Sequence, residues 1–145
     1  MQMLIRKAGL DDIPVIGDLF LQLGYVTDLQ MVVKRVEIYL TRSDYALFVV
    51  EIDRQVIGCA ALVMNELLLT DGKFAQLIAL VIDANWRNQK IGERFLKYLE
   101  SYAGQQGCAK IQLTSAMHRR ESGAHRFYIQ HGYQTDVTQY FVKNL

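Results

Sequence analysis

Apolar residues recur along this chain with two periods, and the switches between them mark out its elements. Residues 3–7 read as a short strand. Asp11 or Asp12 can then cap a helix in which Ile16, Leu19, Phe20 and Leu23 fall at i, i+3, i+4 and i+7, one helical face. Gly24 stands where that helix stops. Leu29, Val32, Val33, Val36 and Leu40 repeat the pattern for a second helix. Residues 46–52 and 56–64 are rich in Val, Ile and Leu and are separated by Asp53-Arg54-Gln55, the pattern of an antiparallel hairpin. Residues 74–82 form a third long strand whose nearly unbroken apolar character predicts burial on both faces. Over 90–106 the stripe Ile91, Phe95, Leu99, Tyr102 and Ala103 predicts a helix, with Gly104 and Gly107 bracketing its end. A strand over 111–114, a helix over 119–131 stopped by Gly132, and a strand over 137–142 complete the order βααβββαβαβ.

That order is a run of antiparallel strands followed by a βαβ crossover, an α/β (α+β) fold with a mixed, mostly antiparallel central sheet and about four flanking helices. Nothing along the chain suggests a repeat, a low-complexity tract or a domain boundary, so residues 1–145 are expected to form a single domain. No apolar run reaches transmembrane length, no secretory leader is evident, and a cytoplasmic protein is expected. Sixteen basic and fifteen acidic side chains leave a net charge of +1, too little to steer the protein onto nucleic acid. Neither nucleic acid nor membrane is an expected partner. Cys59 and Cys108 lack metal-site or redox-motif spacing, and His118, His125 and His131 do not share one helical face, so no metal is expected.

The segment richest in chemistry runs over 80–92. An apolar strand (Leu80, Val81, Ile82) ends in a polar turn (Arg87, Asn88, Gln89), which feeds a helix at Lys90, Ile91 and Gly92. A strand that gives way to a helix N-terminus leaves backbone N–H groups unpaired at the positive end of the helix dipole. That arrangement suits phosphate, and with Arg87 beside it a pyrophosphate. The same junction also occurs with no ligand. Two cations at a helix start oppose the dipole, a mild cost that an incoming anion would relieve.

Downstream, Ala124, Phe127, Tyr128, Gly132 and Tyr133 follow the strand-like 111–115 in the spacing Ala-x-x-Phe-Tyr-x-x-x-Gly-Tyr. With Arg87, Lys90 and Gly92 after an apolar strand, and Ile5-Arg6-Lys7-Ala8 with Asp11-Asp12 at the start, the chain resembles the GNAT superfamily of acetyl-coenzyme A-dependent N-acyltransferases over nearly its whole length. Two positions depart from the family pattern. Lys90 stands where the first motif glycine is usual, and Glu121 where an Asn often precedes the last helix.

The resemblance implies a function. In the family, the strands equivalent to 74–82 and 111–114 splay apart, and coenzyme A fills the cleft like an added strand against Leu80, Val81 and Ile82. The pyrophosphate then sits on Arg87 to Gly92, where Lys90 in right-handed helical geometry could still donate its N–H. Tyr128 would meet the thioester sulfur and protonate or hydrogen-bond the leaving thiolate. The expected activity is acetyl transfer from acetyl-coenzyme A to a primary amine, small-molecule or peptide, by direct attack; a homodimer is common in the family. Cys59 has no base partner, which disfavours an acyl-enzyme. No carboxylate lies on the strand before the turn, so the base is open between Glu66 or Asp71 acting through water and water held on backbone carbonyls. The Arg119-Arg120 pair with Arg126 reads either as a phosphate contact or as a solvated face. Lys90, Glu121 and the missing carboxylate motivate an alternative, a coenzyme A-binding sensor or partner module without turnover.

Overall fold

The computed structural model describes residues 2–26, 28–115 and 123–145. They form two compact units, one up to Leu113 and the other from Thr114 onward.

In the first unit five strands make one sheet in the order β1-β2-β3-β4-β5: β1 (Met3–Lys7), β2 (Tyr45–Ile52), β3 (Gln55–Glu66), β4 (Lys73–Ile82) and β5 (Cys108–Gln112). The first four are antiparallel neighbours, and β5 joins β4 in parallel. A parallel return needs a crossover, and α3 (Ile91–Gln105) provides it. α1 (Ile13–Gln22) and α2 (Leu29–Thr41) precede the long hairpin. The β2–β3 turn is two residues long, Asp53 and Arg54, both at positive φ, the backbone of a tight hairpin.

The sheet is covered on both faces. Ile13, Ile16 and Leu19 of α1 and Val32 and Val36 of α2 join Leu47, Val49, Cys59, Ala61 and Val81 of the sheet in one core. On β2 the alternate residue Phe48 points the other way. It meets the rings of Tyr98 and Tyr102 on α3 edge-on, with centroids 5.4 and 4.8 Å apart. The α3 stripe predicted from spacing is buried at Ile91, Phe95, Leu99 and Ala103.

Asp12 does not cap α1 with its side chain. Its carboxylate instead accepts from both terminal nitrogens of Arg6, at 2.8 and 3.0 Å, and from the Gly9 N–H at 2.8 Å. Arg6 Nε also donates to Glu51 at 3.0 Å, so the end of β1 is locked to both β2 and the start of α1. Asp28 does act as a cap, accepting from the Met31 N–H at 2.9 Å.

β4 is not buried on both faces as its composition predicts. Ala75, Leu77 and Val81 are buried, whereas Ile78 is 49% exposed. Ile78 is also the extra residue of a bulge, because Ala61 faces Ala79 and Leu62 faces Leu77.

The second unit contains α4 (Ala124–Gln130). The predicted last helix over 119–131 is seen from Ala124; residues 116–122, including His118, Arg119, Arg120 and Glu121, lie outside the described residues. The strand predicted over 137–142 is not formed. These residues have no regular structure, and Val137, Tyr140, Phe141 and Val142 are exposed. A β-prone composition makes a strand only where a neighbouring strand takes up its hydrogen bonds.

Candidate functional site

β4 outlasts its parallel partner. The last β4–β5 rung pairs Gln76 with Gln112, while β4 continues to Ile82, still paired with β3. From Leu77 to Ile82 its other edge has no β5 residue opposite. The direction of each backbone group follows from the ladder. The Asp83 N–H donates to the Ile57 carbonyl at 2.7 Å, so Asp83 and, by alternation, Val81 turn their backbone toward β3. Leu80 and Ile82 therefore turn theirs toward the open edge. Of the three strand residues singled out from sequence, Leu80 presents both backbone groups to this edge, Ile82 presents its N–H while its carbonyl accepts from Arg87, and Val81 instead sends its side chain into the core beneath α1 and α2.

Beyond Ile82 the chain folds into a short 3-10 turn, Ala84–Trp86, capped by Asp83, whose Oδ1 accepts from the Asn85 N–H at 2.9 Å. Arg87 follows. Its Nε donates to the Ile82 carbonyl at 3.1 Å, which fixes the side chain at the open edge; its two terminal nitrogens have no partner among the described residues and can meet an anion. Asn88 and Lys90 both have φ of 64°.

Lys90 is the N-cap residue of α3 in left-handed geometry, not the right-handed conformation expected of it, and no side chain caps the helix there. A left-handed residue followed by right-handed Ile91 turns successive N–H groups toward one concavity, the backbone nest that binds anions. Glycine adopts this handedness freely, whereas Lys90 carries a Cβ there. Ile91 is buried and anchors the helix start; Asn88, Gln89 and Lys90 are exposed.

The candidate bases lie elsewhere. Glu66 is opposite Lys73, with 3.7 Å between their charged groups, and Asp71 is in the loop between β3 and β4. Both are at the start of β4, and nine strand steps, about 30 Å, separate Lys73 from Ile82. Cys59 is fully buried, and burial pushes its thiol up to about 12, so it holds its proton at neutral pH. Cys108, which sequence placed outside the sheet, is the first residue of β5; burial raises its thiol as well. Among the described residues no three His, Cys, Asp or Glu side chains cluster to hold a metal ion, and no helix is long and apolar enough to cross a membrane.

In the second unit, Tyr128 lies on α4 between the rings of Phe127 and Tyr133, at centroid distances of 5.2 and 5.5 Å. The Tyr133 N–H donates to the Tyr128 carbonyl at 3.0 Å, beside Gly132 at φ 90°. His131 Nδ1 lies 2.7 Å from the Phe127 carbonyl oxygen. His125 Nε2 is buried and has no hydrogen-bond partner among the described residues.

Sequence spacing gave no sign of Gln22. Its side chain, at the end of α1, bonds to both Asp83 and Ala84. Sixty-one residues separate Gln22 from Asp83, and no local pattern links them.

Comparison with known proteins gives the family and the fold. The acetyltransferase (GNAT) family matches residues 19–133. No curated protein sequence matches the chain. Among solved structures, a GNAT family acetyltransferase from Staphylococcus aureus is 23% identical with a TM-score of 0.83, each chain covered in full. Glucosamine-6-phosphate N-acetyltransferase from Arabidopsis thaliana is 20% identical with a TM-score of 0.80, over 99% of each chain. An aminoglycoside N-acetyltransferase in complex with CoA is 14% identical with a TM-score of 0.85, over 99% of this chain and 95% of that one. At these identities the likeness to solved structures is one of fold.

Proposed function

This chain belongs to the GNAT acetyltransferase family, and on that premise we propose that it moves an acetyl group from acetyl-coenzyme A to a primary amine by direct attack. The observation that carries the reading is the length of β4 beyond its last rung with β5. Leu80 offers a backbone donor and acceptor along the open edge and Ile82 a donor, its carbonyl being held by Arg87. An extended, amide-bearing ligand can pair with such an edge as an added strand. The edge runs into the Lys90–Ile91 nest, with Arg87 held beside it, and so the residues present fit a ligand that continues into a pyrophosphate.

Acetyl-coenzyme A, when bound, supplies an activated acyl group with a thiol as leaving group. The chain's own share is to hold, orient and manage protons. Arg87 and the nest bind the diphosphate, and the β4 edge aligns the arm. We assign Tyr128 the role of giving its hydroxyl proton, or a hydrogen bond, to the departing sulfur. With β4 free of carboxylates and Cys59 protonated, the amine proton leaves to water held on backbone carbonyls. Proximity then supplies most of the acceleration.

A second reading, a coenzyme A-binding sensor without turnover, draws on Lys90, whose Cβ sits on left-handed backbone where the family uses glycine. Two measurements test the readings in turn. Saturating coenzyme A is expected to raise the melting temperature, since a ligand that contacts only the native state stabilises it by mass action; no shift overturns both. A mass-spectrometric screen of amines with acetyl-coenzyme A is expected to show an acceptor gaining one acetyl mass. Binding without acetylation of any amine favours the sensor.

A further inference from the structure

One side chain holds the turn after β4 from outside. Gln22, the last residue of α1, donates from Nε2 to Asp83 Oδ2 at 3.1 Å, and its Oε1 accepts from the Ala84 N–H at 2.9 Å. Both ends of one planar amide are thus engaged by consecutive turn residues, which fixes orientation as a single bond would not. Asp83's second oxygen accepts from Asn85, and the set is closed.

The position of Gln22 is itself fixed. α1 ends in a Schellman-type stop: Gly24 at φ 96°, its N–H bonded to the Leu21 carbonyl at 2.9 Å, and the Tyr25 N–H bonded to the Phe20 carbonyl at 3.1 Å. The chain then runs past Tyr25 and Val26, which are 60% and 93% exposed, toward the Asp28 cap of α2. On the turn side, Asp83 directly follows Ile82, the residue whose carbonyl anchors Arg87. The clasp therefore joins the end of α1 to the strand end from which Arg87 and Lys90 are displayed.

We propose that Gln22 is a positioning residue for cofactor binding: it sets the backbone at Asp83 and Ala84 and ties the phosphate turn to the end of α1, so that a ligand on the turn also steadies that helix end. The proposal rests on the reading of the turn as the coenzyme A site. It concerns no reacting atom; Gln22 acts through Asp83 and Ala84 alone.

The test uses the whole protein with coenzyme A as the probe. Gln22→Ala is expected to lower affinity by calorimetry about 5- to 10-fold, the scale of one or two lost hydrogen bonds. The urea midpoint should fall modestly as well, because both bonds are already made in the ligand-free protein, at a site exposed to water. Hydrogen exchange separates positioning from general stability: coenzyme A should protect the amides of residues 23–26 at the end of α1 in wild type and not in the variant. Gln22→Glu sets a second carboxylate against Asp83 and should weaken binding at least as much. Adding Asp83→Asn to Gln22→Glu restores a donor facing an acceptor with polarity reversed, and should bring affinity back to within about 2-fold of wild type. Unchanged affinity in Gln22→Ala, unchanged protection of residues 23–26, or failure of the double variant to recover overturns the assignment. If wild type itself binds no coenzyme A, the reading of the turn fails, and this inference falls with it.

Discussion

Lys90 carries a side chain on a backbone that suits glycine. A left-handed conformation costs a residue with a Cβ about 1–2 kcal/mol, and glycine's greater freedom in the unfolded chain offsets about 0.4–1 kcal/mol of that. Lys90→Gly is therefore expected to raise stability by about 0.5–1 kcal/mol in urea unfolding, with coenzyme A binding retained or tightened by closer backbone approach. Arg87→Ala should act oppositely, weakening binding by about 1–3 kcal/mol, the range for a charge-assisted bond to phosphate. Abolished binding in Lys90→Gly beside normal binding in Arg87→Ala would make the Lys90 ammonium, not the nest, the phosphate ligand. Asp12 is a residue of another kind. The Arg6 guanidinium, and then the Gly9 N–H, hold its carboxyl below the ordinary value of 3.8. A carboxylate lowered in the folded state stabilises above the unfolded pKa and loses that contribution as pH falls through the folded one. Asp12→Asn should cost about 1–3 kcal/mol at neutral pH, and the gap from wild type should narrow as pH drops below about 4. A gap that stays constant down to pH 2 would rule out the ion pair as its source.

At the level of elements, what could be read from sequence was what depends on neighbours in sequence. The stripe from Ile91 to Ala103 gave α3 because one helical face needs only its own spacing, and Asp53-Arg54-Gln55 gave the hairpin because a tight turn is local, though Gln55 proves to be the first residue of β3. The segment 137–142 has strand composition and no strand, because pairing is decided by what lies alongside. Three further features were hidden for related reasons: the end of β4–β5 pairing at Gln76, the handedness of Lys90, and the bond from Gln22 to Asp83. The turn after β4 could be found from its pattern; how it is held could not. Gly58 shows how closely β4 is seated. A Cβ there would lie 2.7 Å from Ile82 Cδ1, 2.8 Å from Val50 Cγ1 and 2.8 Å from the Val81 carbonyl oxygen. Side chains can rotate away, but the carbonyl belongs to the strand. Gly58→Ala should therefore destabilise the protein by about 1–3 kcal/mol and, by displacing β4 at Val81 and Ile82, also weaken coenzyme A binding. Wild-type stability in this variant would show that the strand yields without cost.

Across the whole molecule the proposed tasks divide between the two compact units. The residues assigned to cofactor binding, Leu80 to Gly92, belong to the first, and Tyr128 to the second. Binding and leaving-group assistance should then fail separately. Tyr128→Phe keeps the ring with its contacts to Phe127 and Tyr133, and removes only the hydroxyl. If that hydroxyl serves the departing thiolate, its loss is felt chiefly in the transition state. Turnover should fall roughly 10²-fold or more, the scale of general-acid assistance, with coenzyme A affinity close to wild type. A purely structural tyrosine predicts the reverse: a lower melting temperature and full turnover per folded molecule. Arg87→Ala serves as the internal contrast, since it should raise the KM for acetyl-coenzyme A and leave kcat nearly intact. Measured on folded protein of each variant, loss of kcat at position 128 with loss of affinity at position 87 supports the division. Normal turnover in folded Tyr128→Phe removes the tyrosine from the chemistry, and the departing sulfur must then take its proton from water.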